Sequence, residues 1–589
     1  MRRYILLPCL LLLAWGEPAL GQRPRGAGRV RKPAAAVLPP PGPGPLAQTL
    51  QLSPPPPPPA PRAPARPVLA PAPASSPALT PAPLPEQTAR LELRLPGDGD
   101  GEVHVQPLAA DSSIVLLAGQ QVRNTSRIAF YFQHYDAQLR RRREVPVAVP
   151  PEFGFVRLCA EGRTVYALFS SRLEPGRLWV VAFDTAGGGA LRSQTFETKL
   201  SREIVALRAV EGSLFATVVL SNATHLTALL LNMGTGQFRY LPSIYEPLPA
   251  QLSFEADERT GRAAYVLSQT NGRKARLQLK QLGANGQLLG AEVVQAESER
   301  NLLTAQLSPL ADSSARLLAG TYSLRELSYA QGLFATDLRP AAGAAPGAGA
   351  VPANAHAPLR FYDFLRFKHF FDFLKPQREQ RLRQRAARRQ QQALAPRRWR
   401  YRLLLHSMQP LPGGGFVLTA EVYYPHYRYN NGFYPASGLG SAFVPGGNYA
   451  GSSTRIFDGY STTQALVCGF APDGTLLWDN SFVVKDLRRF KLTEVIRQAP
   501  LPDGRLVLAY VDEEELCYKL VQQATPSPND LRVPLQTSAT GTGERAYDTS
   551  DTDLQTWFGS TFVASGFQHV RPDKGPEREV FFLNKIVFK

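Results

Sequence analysis

The sequence predicts an all-β protein, a β-propeller of seven four-stranded blades carrying a helical insertion and a disordered, Pro/Ala-rich N-terminal segment. Two observations carry that expectation: strict alternation along short β runs, and a turn built on Asp or Asn that recurs at a near-constant interval. Phe416, Leu418, Ala420 and Val422 alternate with Val417, Thr419, Glu421 and Tyr423, the period of two that puts one row on each face of a sheet. Turns follow β runs at Asp136, Asp184, Asn232, Asn285 and Asp337, spaced by 48 to 53 residues. The next, at Asp473, comes 136 residues later, and two insertions, 341–400 and 425–460, account for all but 40 of them. A four-stranded unit with a period of about 40 to 50 residues is a propeller blade, whereas a helical solenoid would show the 3.6 period.

The best-formed unit runs from Tyr401 to Val484 and reads as four strands, "YRLLLHSM", "GFVLTAEVYY", "TTQALVCGF" and "TLLWDNSFVV". Six blades are counted through Val484, and a seventh begins at Leu492 with "RLVLAYV" and "ELCYKLVQQ". Either the final "REVFFLNKIVF" or the early "RLELRLP" completes it and closes the ring, which hides edge strands that would otherwise aggregate. A stack of separate β-sandwiches is the alternative.

Upstream of the repeats, Met1–Arg3 give a basic start and Ile5–Trp15 an apolar run too short to span a bilayer. Ala19-Leu20-Gly21 then supply small residues for cleavage after Gly21, so 1–21 read as a signal peptide and the protein as secreted or periplasmic. Residues 22–90 are dominated by Pro and Ala, which deny the chain amide donors and favour an extended, solvated spacer. Blades 1–5 are assigned to 91–340, an insertion to 341–402, and blades 6–7 to 403–589.

The segment "FAPDGTLLWDNSF" resembles the outer hairpin of secreted bacterial propellers of the quinoprotein-like and kelch-like groups. The tract from Arg360 to Lys589, with "FYDFLRFKHFFDFLKP", "GGGFVLTAEVYYPHYR" and "FDGYSTTQALVCGFAPDGTLLWDNSF", resembles a family of exported bacterial envelope proteins with no assigned activity. That resemblance implies a noncatalytic propeller and brings no catalytic residues. Departures from other propellers are equally informative. Trp478-Asp479 is a lone WD dipeptide without a Gly-His partner, and Asp473, Gly474 and Trp478 give one imperfect sialidase-type Asp box. Trp478 reads most simply as an aromatic packed between blades.

Charge is local. The net charge of +18 comes mostly from the N-terminal segment and from 376–402, where ten Arg face one Glu. A nucleic-acid interface would need a basic face on the folded repeats with aromatics for stacking, so that function class is excluded. In the insertion, Phe364, Phe367, Phe371 and Leu374 recur at helical spacing and predict an amphipathic helix over 360–374. Pro376 restarts a second helix, polar nearly all round, whose Arg381, Arg385, Arg388 and Arg389 form a solvated basic surface or an anionic contact.

The connection 426–460 combines Tyr and Phe with Gly, Asn and Ser, the composition of binding loops. Tyr427, Tyr429, Phe433, Tyr434 and Tyr449 are the candidate contacts for a glycan or an envelope protein. Catalytic and cofactor motifs are missing. Cys159, Cys468 and Cys517 show no pairing or zinc spacing and read as buried thiols, and no HExxH, P-loop or Gly-x-Ser-x-Gly occurs. The run 97–102, "GDGDGE", lacks the later Glu of a calcium loop. No cofactor, metal or transmembrane span is therefore expected, and a monomeric binding or scaffolding propeller is the favoured reading. A glycan hydrolase with paired carboxylates at the axial mouth is the alternative.

Overall fold

The computed structural model describes residues 84–589 apart from 95–101, 123–126, 199–201, 221–224, 248–250, 297, 310–315, 340–357, 396, 412–413, 431–453, 538–544 and 572–576. The expected signal peptide, nearly all of the expected Pro/Ala-rich spacer, most of the "GDGDGE" run, and Phe433, Tyr434 and Tyr449 thus lie outside the described residues.

Alternating apolar runs separated by tight turns fold into consecutive antiparallel sheets, each ordered as the strands occur in the chain. Blades 1 to 7 cover 102–147, 153–197, 202–247, 252–294, 301–363, 402–489 and 497–534. Blade 6 adds a short strand, Gln409–Pro410, to its four. The eighth sheet is composite: the C-terminal strands Arg545–Thr556, Thr561–Arg571 and Arg578–Val587 take the N-terminal strand Glu86–Arg94 as their outer member. First strands of successive blades approach one another from blade 1 to blade 6 and again between blades 7 and 8, so they surround the axis.

Each sheet buries both faces against its neighbours, and the apolar side chains sort into eight clusters, one at every junction. Phe132, Val165 and Phe183 join blades 1 and 2, and Leu168, Leu207 and Leu229 join 2 and 3. Phe215, Tyr265 and Leu282 join 3 and 4, and Leu279, Leu302 and Phe334 join 4 and 5. Leu333, Leu418 and Phe470 join 5 and 6, Val467, Trp478 and Tyr510 join 6 and 7, and Tyr518, Leu554 and Phe562 join 7 and 8. Ile114, Leu116, Trp557 and Leu583 then join blade 8 back to blade 1. The ring is closed and has eight blades among the described residues, which corrects the expected seven.

The missing blade has a physical explanation. The recurrent Asp or Asn sits between third and fourth strands and turns the chain by accepting backbone N–H groups on its side chain. Asp136 accepts from Gln138 and Arg140 (2.9 and 3.0 Å), Asn232 from Gly234 and Thr235 (2.9 and 2.8 Å), and Asp473 from Thr475 (2.9 Å). Asp184, Asn285 and Asp337 do the same for Ala186, Gln287 and Arg339. Blade 7 makes this connection through 522–530 without such a residue at its start. In blade 8 the third and fourth strands are the two ends of the chain, so no turn exists to be counted.

Closure rests on the pairing of Glu86–Arg94 with Arg578–Val587, in register from Glu86↔Val587 to Arg94↔Val580 with a bulge between Gln87 and Ala89. Glu86 to Arg90 therefore belong to the sheet rather than to the spacer. The Arg90 guanidinium is buried, bonded to Asn584 Oδ1 (2.9 Å) and Gln568 Oε1 (2.8 Å), paired with Glu92, and stacked on Phe582 at 5.0 Å. Trp557 adds a second tie by donating its indole N–H to Ser113 O of blade 1 at 2.8 Å.

The insertion departs from expectation in its first half. Arg360–Asp363 is the outer strand of blade 5, followed by a single 3-10 turn at Phe364–Arg366, and no α-helix spans 360–374. Blade 6 supplies the hydrogen bonds that a helix would have made for itself: Asp479 accepts from Lys368 N (3.0 Å) and His369 N (2.8 Å), and Gln464 donates to Phe370 O (3.2 Å). Phe364, Phe367, Phe370 and Phe371 are fully buried between blades 5 and 6. At about 1.5–3 kcal/mol per buried side chain, these four outweigh the local helical preference. The second half is helical as expected, α1 spanning Pro376–Gln391 with Pro376 in its first turn. Trp478 packs between blades 6 and 7 and lies against Gly469, where a Cβ would collide with the indole. Cys159, Cys468 and Cys517 are buried free thiols.

Trp557→Ala should cost about 3–5 kcal/mol in denaturant unfolding, and Trp557→Phe clearly less, because Phe keeps most of the apolar contact and loses only the bond to Ser113. Equal losses in the two variants would contradict a packing role at the last junction.

Candidate functional site

Antiparallel topology places the second-to-third and the fourth-to-first connections of every blade on one face of the ring. Blade 6 overshoots that face. Its second and third strands, Phe416–Asn430 and Thr454–Phe470, are 15 and 17 residues long, and they stay paired through Tyr427↔Phe457 to Asn430↔Thr454. Because the fourth strand stops pairing at Tyr460↔Arg489, the pair beyond that point is a two-stranded arm of about 13 Å. The expected loop 426–460 is therefore strand at both ends, with 431–453 outside the described residues.

The arm is aromatic. The Phe457 ring lies 5.7 Å from Tyr427, 5.1 Å from Tyr460 and 6.3 Å from Phe490, and Tyr423 meets Tyr460 edge-on at 5.8 Å. Phe490 is 76 % exposed and Phe457 and Tyr424 each 37 %. Asp458 sits between His426 (3.3 Å) and Arg428 (4.0 Å). Of the sequence-predicted contacts, Tyr427 belongs to this cluster and Tyr429 pairs with Arg455 in the arm's backbone. Neither Phe457, which lies inside the 426–460 connection, nor Phe490, which lies beyond it, was among the candidates, and strand pairing is what brings them to Tyr427 and Tyr460.

At the arm's foot a cleft of about 450 Å³ runs over blades 4 to 6. Ser268, Thr270, Thr304, Thr321 and Ser328 line it together with Gln251, Arg402 and Tyr423, over a floor that includes Leu303 and Leu403. The Thr304 and Thr321 hydroxyls are bonded to each other at 2.9 Å. Gln251, Ser268 and Thr304 also line a cavity of about 240 Å³ reaching toward the axis, whose wall includes Arg208, Ser407 and Glu494.

Glu255 on the inner strand of blade 4, Glu421 on the second strand of blade 6 and Glu494 in the connection to blade 7 bring carboxylates to this region. Burial raises the Glu255 carboxyl to about 7, with Ser407 and Arg208 acting against the shift and Glu494 adding to it. Glu255 Oε1 is buried with no hydrogen-bond partner among the described residues. His406 is buried and bonded through Nε2 to Glu421 Oε1 at 2.8 Å. Burial disfavours its charge, yet Glu494 and the Glu421 bond prevail and its pKa is raised. Glu421 also accepts from Val495 N and Ile496 N (2.8 and 2.7 Å), so this pair fastens the entry of blade 7 to blade 6. In the sequence Glu421 is one member of the row with Val417, Thr419 and Tyr423, and nothing there marks it out. Glu255 carries no signal, since no other blade repeats it.

No protein-family model and no curated protein sequence matches the chain. Among solved structures, it is similar to polysaccharide lyase Uly1 at 8% identity, covering 73% of this chain and 89% of that one with a TM-score of 0.35. It is also similar to the WD40 domain of SCAP from fission yeast (8% identity, 85% and 98% covered, TM-score 0.37). A third is the quinohemoprotein alcohol dehydrogenase ADHIIG from Pseudomonas putida HK5 (11% identity, 85% and 76% covered, TM-score 0.38). The chain spans about half the length (53%) of a prolyl endopeptidase that it matches at 9% identity and a TM-score of 0.34. None of these likenesses bears on what this chain binds, and the propeller assignment rests on its own sheets and junctions.

Glu255 titrates near 4.5 when unfolded and near 7 when folded, so between those values the folded state holds a proton that the unfolded state has lost. Its contribution to stability is accordingly full below about pH 4.5 and is lost as pH rises through about 7. Glu255→Gln should remove that component, seen as a difference between the two stability–pH curves confined to this window. Parallel curves would show that Glu255 is ionised throughout.

Proposed function

We propose that the chain is an exported, noncatalytic binding module that takes a glycan across the face carrying the blade 6 arm. Continuity carries this reading: Tyr423 lines the hydroxyl-rich cleft and meets Tyr460 of the aromatic arm. A sugar presents C–H faces that suit aromatic rings and hydroxyls that suit Ser, Thr and Gln, and the two surfaces adjoin here. Rigid aromatics give contact area at low entropic cost, while short polar side chains adapt their hydrogen bonds. Tyr427 and Tyr429 are the proposed contacts, with Phe433, Tyr434 and Tyr449 in the stretch between the arm's strands. Export is supported by the basic start and short apolar run at 2–15.

One observation favours a second reading, a glycan hydrolase. Glu255, with its carboxyl near 7, has the protonation a general acid needs, and Glu494 is a second carboxylate beside the same cavity.

A glycan array, followed by a reducing-end assay on every hit, separates the two. Binding without release of new ends, weakened about tenfold or more in Tyr427→Ala/Phe457→Ala/Phe490→Ala with thermal unfolding unchanged, supports the binding module. Release of reducing ends that Glu255→Gln abolishes would put the hydrolase in its place.

A further inference from the structure

Helix α1 is two-faced in a way that its composition hides. Glu379, Leu382, Arg383 and Ala386 are its partly buried positions, spaced 3, 1 and 3 residues apart on one side. Arg383 anchors that side. Its guanidinium donates to Leu365 O, Phe367 O and Lys368 O at 2.9 Å each, pairs with Glu379 at 2.7 Å, and stacks on Phe371 at 5.5 Å. Leu382 packs against the aromatic cluster between blades 5 and 6. The helix is thereby held against the ring in one orientation, although its sequence reads as polar nearly all round.

The opposite side is a line of arginines. Arg378, Arg381, Arg385 and Arg388 follow at intervals of 3, 4 and 3 residues, the repeat that keeps side chains on one helix face. All four are exposed and none makes an ion pair among the described residues. They span about 15 Å of helix axis. Arg389 is tied back instead, donating to Ala395 O at 3.0 Å. The helix contains no Lys and its single acidic residue, Glu379, is used by Arg383.

We propose that this stripe binds an acidic glycan, one whose repeating carboxylate or sulfate groups lie along the four guanidinium groups. The inference rests on the glycan reading above and narrows it to a charged polymer. Three observations select this occupant. The cations are all Arg, whose planar fork grips carboxylate, sulfate and phosphate with paired hydrogen bonds that Lys cannot make. No apolar side chain shares the stripe, so nothing there would insert into a lipid surface. No aromatic lies on the helix, so stacked bases would find no platform. A fixed row of charges on an anchored helix suits a linear polymer with regularly spaced anions.

The test is binding of the full-length protein to polygalacturonate, chondroitin sulfate, dextran, phosphatidylserine vesicles and poly(dT) in the same buffer. In Arg378→Gln/Arg381→Gln/Arg385→Gln/Arg388→Gln, affinity for at least one acidic polysaccharide should fall about tenfold or more. Thermal unfolding should not change, and Arg192→Gln/Arg262→Gln, which removes two exposed arginines elsewhere, should bind like the wild type. Retention of that affinity within about threefold by the stripe variant overturns the inference, as does stripe-dependent binding that is tighter for the vesicles or poly(dT). Because the arm variant is measured on the same set, failure of the stripe is told apart from failure of the arm and cleft to bind any glycan.

Discussion

Everything in this protein depends on one seam, the pairing of the Glu86–Arg94 strand with the last strand of the chain, Arg578–Val587. Seven blades complete themselves from consecutive sequence and the eighth cannot. Without the N-terminal strand, blade 8 would be a three-stranded sheet, and the junction with blade 1 would lose Ala89, Leu91 and Leu93. The bonds at the seam are therefore of the kind that fix register rather than merely add area. Arg90 is buried and bonded to side chains on two different strands of the blade, while Gln87 reaches blade 7 through Pro534 O (2.7 Å) and Gln536 N (2.7 Å). A guanidinium buried in this way is costly unless every donor finds an acceptor, which makes slipped pairings unfavourable.

A closed ring also fixes the direction in which each strand leaves it. Strand order alternates, so any lengthening of a second and third strand projects from the same face, and blade 6 uses this to raise its aromatic arm. Blades 4 and 5 stop short beside it, leaving the hydroxyl-lined cleft. The blade 5 to blade 6 junction holds the other elaboration, the four buried phenylalanines and α1, through Asp479, Gln464 and Arg383. Both departures from the plain repeat thus involve blade 6, and that blade is fastened to its next neighbour by the buried His406–Glu421 pair.

The fold was legible because its signals are local. Alternation marks strands, and an Asx side chain that must accept backbone N–H groups marks each turn, so six blades could be counted from Asp136, Asp184, Asn232, Asn285, Asp337 and Asp473. The eighth was illegible because its last connection is not a peptide at all. Phe364, Phe367 and Phe371 misled for a related reason: helical spacing records which side chains are buried, and here Asp479, more than a hundred residues away, satisfies the backbone in their place. On the arm, Tyr427 was readable from composition. Phe457 and Phe490 become its neighbours only once strand register is known, and the environment of Glu255 is set by Ser407, Arg208 and Glu494, which come from other blades. Of the arginine stripe, Arg381, Arg385 and Arg388 were readable from spacing, whereas Arg378 was not named and Arg389, bonded to Ala395 O, does not belong to it; the direction of the stripe was hidden because Arg383 looks like its neighbours until its acceptors are seen.

Amide hydrogen exchange at the seam tests the closed ring most directly. If Glu86–Arg94 is the outer strand of blade 8, its hydrogen-bonded amides should exchange in step with those of Arg578–Val587, both released only by opening of that blade. Exchange of the Glu86–Arg94 amides at the rate of an unstructured chain, while Arg578–Val587 remains protected, would contradict the closure and with it the eight-bladed account.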